Sequence, residues 1–134
     1  MARKEIYYTV EDKGRDQGKV FFIREMAASQ AEWWAIRAGL AMAKNGVNLP
    51  DNFSDMGMAG MAKVGLAMVA QIPPEDARPL LDELMACIQA VPDPSNQSVK
   101  RKLIDDDTEE VVTRLKLRSE VFKLHVDFLT ATAS

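Results

Sequence analysis

Two short runs of β-branched and aromatic residues, Ile6-Tyr7-Tyr8-Thr9-Val10 and Val20-Phe21-Phe22-Ile23, open a chain whose remainder is spaced for helices. Such residues suit the pleated, half-buried surface of a strand. The segment between them, Glu11 to Gly18, is polar and carries Gly14 and Gly18, which can take positive φ. The pair predicts a hairpin. Its loop exceeds a tight two-residue turn, so the register stays open. A lone two-stranded hairpin is marginal in water. It must pack on the helices or pair its edge with a strand of a second copy.

Helical spacing takes over downstream. Ser29-Gln30-Ala31-Glu32 reads as a capping box, and Trp33, Ile36, Leu40 and Ala43 recur along one helix with Trp34 beside them. Gly46 is placed to end that helix in a left-handed conformation. A second helical stretch, Asp55 to Gln71, holds Met56, Met58, Met61 and Met68, half of the eight methionines, among Gly57, Gly60 and Gly65. Each glycine costs roughly 1 kcal/mol of helix propensity relative to alanine. Close approach of another helix is the expected compensation, with methionine adapting to irregular neighbours.

Asp76 is the expected N-cap of a third helix, with Pro79 in its first turn and Leu81, Leu84, Met85 and Ile88 along one face. Pro92-Asp93-Pro94-Ser95-Asn96 ends it. After the basic cluster Lys100-Arg101-Lys102 comes an acidic run, Asp105 to Glu110, in which Asp107 and Glu110 repeat the capping-box spacing. The last helix is expected from Thr108 to about Leu129. Its stripe would be Val111, Leu115, Arg118, Phe122 and Leu129, widened by Val112, Leu124, Val126 and Phe128. The expected fold class is therefore α+β, mainly α: an N-terminal β-hairpin followed by about four helices. It would form one domain, with residues 1–26 as the hairpin and 29–134 as the helical part ending in a mobile tail.

Composition narrows the chemistry. The 134 residues are 47% hydrophobic and 28% charged, as in a globular chain. A net charge of -3 supplies no field to attract phosphate backbones, so no nucleic-acid partner is expected. No apolar run approaches the ~18 residues needed to span a bilayer, and the N-terminus lacks the apolar core of a signal peptide. One cysteine, Cys87, excludes an internal disulfide and a cysteine-based zinc site. It reads as a small residue on an apolar helix. His125, the one histidine, has no histidine partner one helical turn away and reads as a half-buried or surface side chain. Asp105 to Glu110 could collect a divalent cation but lack the spacing of an EF-hand loop, and read instead as a solvated helix N-terminus. There is no phosphate loop, dinucleotide fingerprint or serine elbow. No catalytic residue, metal or cofactor is assigned.

Four blocks carry a family likeness: Glu32-Trp33-Trp34-Ala35-Ile36-Arg37-Ala38; Gly60-Met61-Ala62-Lys63-Val64-Gly65-Leu66; Pro79-Leu80-Leu81-Asp82-Glu83-Leu84-Met85; and Thr113 to Phe122 with Leu124-His125. Together they resemble the tail assembly chaperones of long-tailed bacteriophages and prophages. The likeness spans about Lys19 to Phe128. It implies a non-catalytic protein that coats the helical, aggregation-prone tape measure protein and helps to recruit tail tube protein. Such a protein works in the host cytoplasm and is absent from the finished virion. Several copies would bind along one substrate, so a homo-oligomer is expected. Trp33, Trp34, Met58, Met61 and Met68 are the candidate partner-binding residues. Two other readings stay open: a structural virion component such as a tail terminator or head–tail connector, and a small metal-binding enzyme or regulator using Asp105 to Glu110 with His125.

Overall fold

The hairpin forms, and it is the first half of a larger sheet. A computed structural model describes residues 3–47, 51, 52, 55, 64, 65 and 67–125. Strand β1, Glu5–Thr9, pairs antiparallel with β2, Val20–Arg24, in the register Glu5↔Arg24 through Thr9↔Val20. Inside the loop the Val10 N–H donates to the Lys19 carbonyl at 2.9 Å, and the Gly18 N–H donates to the Val10 carbonyl at 2.9 Å. Two further strands follow on the other side of β2: β3, Ile88–Val91, and β4, Arg101–Lys102. The order is β1-β2-β3-β4 with every pairing antiparallel. Neither β3 nor β4 is expected from the sequence. Ile88 lies four residues after Leu84, a spacing that mimics one more helical turn, and the pairing that makes residues 88–91 a strand comes from β2, some 65 positions away.

Alternation along β2 splits the molecule into two layers. Phe21 and Ile23 point to one face, where they meet Val10, Ile88, Trp34, Leu80, Leu84, Leu117, Val121 and Phe122 in the main core. Val20 and Phe22 point to the other face and form a smaller buried cluster with Val91. The Tyr7 ring lies 5.1 Å from that of Phe22, and the Lys100 ammonium sits 4.4 Å from the Phe22 centroid. A tethered lysine thus covers the back of the sheet with its stem and a cation–π contact. The fold is α+β, with the helices on one face.

Among the described residues that layer holds three helices with defined bounds: α1, Ala28–Lys44; α2, Pro74–Met85; and α3, Val111–His125. Between α1 and α2, residues 64, 65 and 67–69 are helical, while Met56, Gly57, Met58, Gly60 and Met61 lie outside the described residues. So do Val126, Phe128 and Leu129 of the expected last helix. Among the described residues no helix is long and apolar enough to cross a membrane.

The helix boundaries differ from the sequence reading in instructive ways. Helix α1 starts at Ala28 after Ala27, with no side-chain cap, so Ser29 is already inside the first turn and the expected capping box does not form. Its C-terminus follows expectation. Gly46 takes φ 72°, its N–H donates to Ala43 at 3.2 Å, and the Val47 N–H donates to Met42 at 2.8 Å. These are the two bonds of a Schellman motif. Helix α2 starts at Pro74, before the expected Asp76 cap, so Pro79 lies within the helix instead of in its first turn. The Glu75 carbonyl, one turn earlier, consequently has no amide at i+4 to accept from.

Gly65 supplies the close approach that its residue type suggests. A Cβ built there would sit 2.7 Å from Cε1 and Cζ of Phe122. The ring of α3 therefore lies directly on the glycine backbone, and the helix that compensates for Gly65 is the chain's own.

Candidate partner-binding face

Helix α1 turns its larger apolar stripe outward. Trp33, Ile36 and Leu40 are 56%, 44% and 64% exposed, and spacings of three and four residues put them in one row. The inward stripe uses Trp34 and Ala38, with Ala41 and Met42 packed against the same core. Small residues at 38 and 41 let the helix lie close to α2. The large ones, read from sequence as the stripe that defines the helix, are left facing solvent. An exposed apolar row is more informative than an exposed single leucine.

Trp34 belongs to the core and not to a partner surface. It is 9% exposed, its Nε1–H donates to the Leu80 carbonyl at 3.0 Å, and its ring meets Phe122 edge-on at 5.9 Å. It joins α1 to α2 and α3. Met68, 4% exposed, is likewise buried. Burial inside the single chain removes both from a surface that must bind another protein. Met58 and Met61 lie outside the described residues. Of the five candidates, Trp33 alone is seen exposed. Ile36 and Leu40, which the sequence reading assigned to the helix stripe without choosing them as candidates, join it. The signal lies in the sequence: the stripe at positions 34, 38, 41 and 42 is an equally periodic alternative, and at 38 and 41 it carries the small residues that close packing needs where the other stripe has Ile36 and Leu40.

A groove runs beside this row, between α1 and α2. Leu40, Ala41, Pro79 and Leu80 supply apolar surface. Arg37 and Lys44 stand on the α1 side, Glu75 and Asp76 on the α2 side. Arg37 is held by an ion pair with Glu83 and lies 5.9 Å from the Trp33 ring centroid, which steadies the aromatic side chain at the rim. An apolar strip with opposite charge on its two edges can take an amphipathic helix in one orientation.

The other chemistry-bearing residues are engaged in holding the fold. Asp16, in the hairpin loop and 1% exposed, accepts the Glu109 N–H at 2.9 Å, the Glu110 N–H at 2.8 Å and the Lys19 ammonium at 2.9 Å. Burial alone would push its pKa up. Hydrogen bonds from Thr113, Lys19 and the two amides outweigh that and hold the carboxyl well below the usual carboxylate range. It is Asp16, from 93 residues upstream, that caps the start of the last helix, in place of the expected Asp107–Glu110 box. Asp107 instead closes the turn before it. It takes a two-pronged bond from Arg101 at 2.6 and 2.8 Å and the Ile104 N–H at 2.8 Å. Glu110 pairs with Arg15 at 3.0 Å and Glu109 with Lys19 at 3.5 Å. Three carboxylates of the acidic run, Asp107, Glu109 and Glu110, are therefore engaged by the chain's own cations. Among the described residues no three histidine, cysteine or carboxylate side chains are grouped to hold a metal ion.

His125 spends both ring nitrogens on backbone. Nε2 accepts the Met26 N–H at 2.9 Å, which makes Nδ1 the protonated nitrogen that donates to the Val121 carbonyl at 2.8 Å. Burial lowers its pKa, against the Val121 bond and the nearby Glu25 carboxylate and with the help of Lys4. Cys87 donates to the Glu83 carbonyl at 3.5 Å, and burial pushes its thiol up to about 11, so it is not poised as a nucleophile.

On the outer side of α3 a second apolar group, Val111, Val112 and Leu115, is exposed. The expected stripe of the last helix is thus split: Phe122 is buried, while Val111 and Leu115 face out and Thr113, Leu117 and Val121 take the core. Comparison of the chain with protein-family models, with curated proteins and with solved structures finds no match.

Proposed function

We propose that this protein is a non-catalytic tail assembly chaperone that holds helical segments of a phage tape measure protein against the outer face of α1. The observation that carries the reading is the row Trp33, Ile36 and Leu40, exposed on a helix that packs on the core through Trp34 and Ala38. A rigid aromatic anchor flanked by aliphatic side chains is the usual centre of a protein-binding surface. The groove beside it suits an amphipathic helix, the form in which a long, helix-rich tape measure protein would present itself. The sequence likeness to tail assembly chaperones supplies the identity of the partner, and tail tube protein is a second candidate client. Work of this kind takes place in the host cytoplasm before the virion is complete.

The test is to express a tape measure protein with and without this chain and to follow its soluble fraction. The reading predicts a marked rise in soluble tape measure protein in the presence of the chain. It also predicts that mass spectrometry of purified tailed particles detects none of the chain. Recovery of the protein in stoichiometric amounts from those particles would point to a structural virion component and would overturn the proposal.

A further inference from the structure

We infer that two copies of this chain join by antiparallel pairing of their β1 edges, Tyr7 opposite Tyr7, into one eight-stranded sheet. This rests on the geometry of β1 and not on the partner proposed for α1. Among the described residues β1 is the outermost strand, paired only with β2. The Glu25 N–H donates to the Lys4 carbonyl, and the Val10 N–H donates to the Lys19 carbonyl. Lys4 and Val10 therefore point their backbone groups inward, and by the alternation of an antiparallel ladder so do Ile6 and Tyr8. The N–H and C=O groups of Glu5, Tyr7 and Thr9 then line the outer edge. Glu5-Ile6-Tyr7-Tyr8-Thr9 contains no proline and no lysine, and its one charge, Glu5, is paired with Arg24 of the neighbouring strand.

Charge selects the occupant and the register. The strand is preceded by Arg3-Lys4 and followed by Glu11-Asp12, so its start is basic and its end acidic. An antiparallel second copy sets each basic start beside an acidic end. With Tyr7 opposite Tyr7, Glu5 falls opposite Thr9, Ile6 opposite Tyr8 and Arg3 opposite Glu11. The outward-pointing residues meet one another, so each copy's Glu5, Tyr7 and Thr9 find backbone partners. Sliding the copies by two positions one way puts Glu5 opposite Glu11, a repulsive pair. Sliding them the other way leaves Glu11 beyond the pairing and sets Arg3 opposite Thr9. Cross-strand charge pairs of this kind decide register. In the centred arrangement Ile6 and Tyr8 stay on the helical face, where they pack against the main core. Tyr7 stays on the back beside Phe22.

Sedimentation equilibrium of the full chain at about 100 µM, where even a small interface is populated, should give twice the chain mass of 14.9 kDa. Thr9→Pro removes an outward-facing N–H and leaves the β1–β2 bonds in place, because Thr9 donates nothing to β2 in this ladder. It should give a monomer with unchanged circular dichroism. Arg3→Glu sets like charges together twice in the pair and should weaken it by about fivefold. Arg3→Glu combined with Glu11→Arg should restore it, whatever Thr9→Pro does to folding. A monomeric native chain would overturn the inference. So would a dimer indifferent to both Thr9→Pro and Arg3→Glu, or a charge-swapped double variant no stronger than Arg3→Glu alone.

Discussion

Asp16 and Glu110 are 94 positions apart, yet the carboxylate of the first accepts the backbone N–H of the second at 2.8 Å. Through this bond and its neighbour to Glu109, the loop of the N-terminal hairpin caps the entrance to the last helix. Asp16→Ala would leave the Glu109 and Glu110 amides without their acceptor and remove one of the partners of the half-buried Lys19 ammonium. The expected cost is about 2–4 kcal/mol, the sum of a lost cap and a broken buried polar cluster. Because the folded carboxyl is held below its usual range, its contribution is fully present above the unfolded value of about 3.9 and is lost as pH falls below it. Urea titrations of both proteins at pH 7 and pH 3 check this: the gap between them should be wide at the higher pH and narrower at the lower.

His125 gives a second pH dependence, and as the one histidine of the chain it should dominate between pH 7 and 5. Its lowered pKa means that the unfolded chain binds the proton more readily. Stability is then complete above the unfolded value of about 6.5 and falls as pH drops through it. The lost contact is the Met26 N–H to Nε2 bond, which protonation abolishes. Thermal melts across that range should show a falling midpoint for the native chain and a flatter profile for His125→Gln.

Gly65→Ala is expected to destabilise in spite of alanine's better helix propensity. The new Cβ would meet the Phe122 ring at 2.7 Å, and that ring is itself set against Trp34. Overpacking of this kind costs about 1–3 kcal/mol, against the ~1 kcal/mol that propensity returns. Phe122→Leu in the same background should recover part of the loss, measured by chemical denaturation.

The adjacent tryptophans should behave oppositely. Trp33→Ser should change stability by no more than about 0.5 kcal/mol, as for an ordinary surface position. Trp34→Ala should cost about 3–5 kcal/mol for the cavity and the lost bond to Leu80. Acrylamide quenching of the two single-tryptophan forms, with phenylalanine at the other position, should find Trp33 accessible and Trp34 protected.

These contrasts show what the sequence could and could not disclose. The hairpin was legible because β-branched and aromatic runs flank a polar, glycine-bearing segment, and the end of α1 because Gly46 sits where a left-handed residue is needed. Strand β3 was hidden because a four-residue run continues the helical spacing of Leu84 to Ile88, and only pairing with β2 makes it a strand. The cap of α3 was hidden because its acid comes from a distant loop, while Asp107 and Glu110 imitate a local one. Orientation of a helix was the least legible of all. The two stripes of α1 have the same period, and what decides between them is the room that Ala38 leaves for α2. That choice sends Trp34 into the core and Trp33 to the surface, and with them the candidate site.

The most direct test of the binding face compares two doubly substituted chains for their affinity toward a tape measure protein, measured by pull-down and titration. Trp33→Asp with Leu40→Asp changes the row on α1; Val111→Asp with Leu115→Asp changes the exposed group on α3. Both pairs lie on exposed positions, so both chains should keep the native circular dichroism. The account predicts loss of binding for the first and near-native binding for the second. Unchanged binding by the α1 variant, or loss confined to the α3 variant, would contradict it.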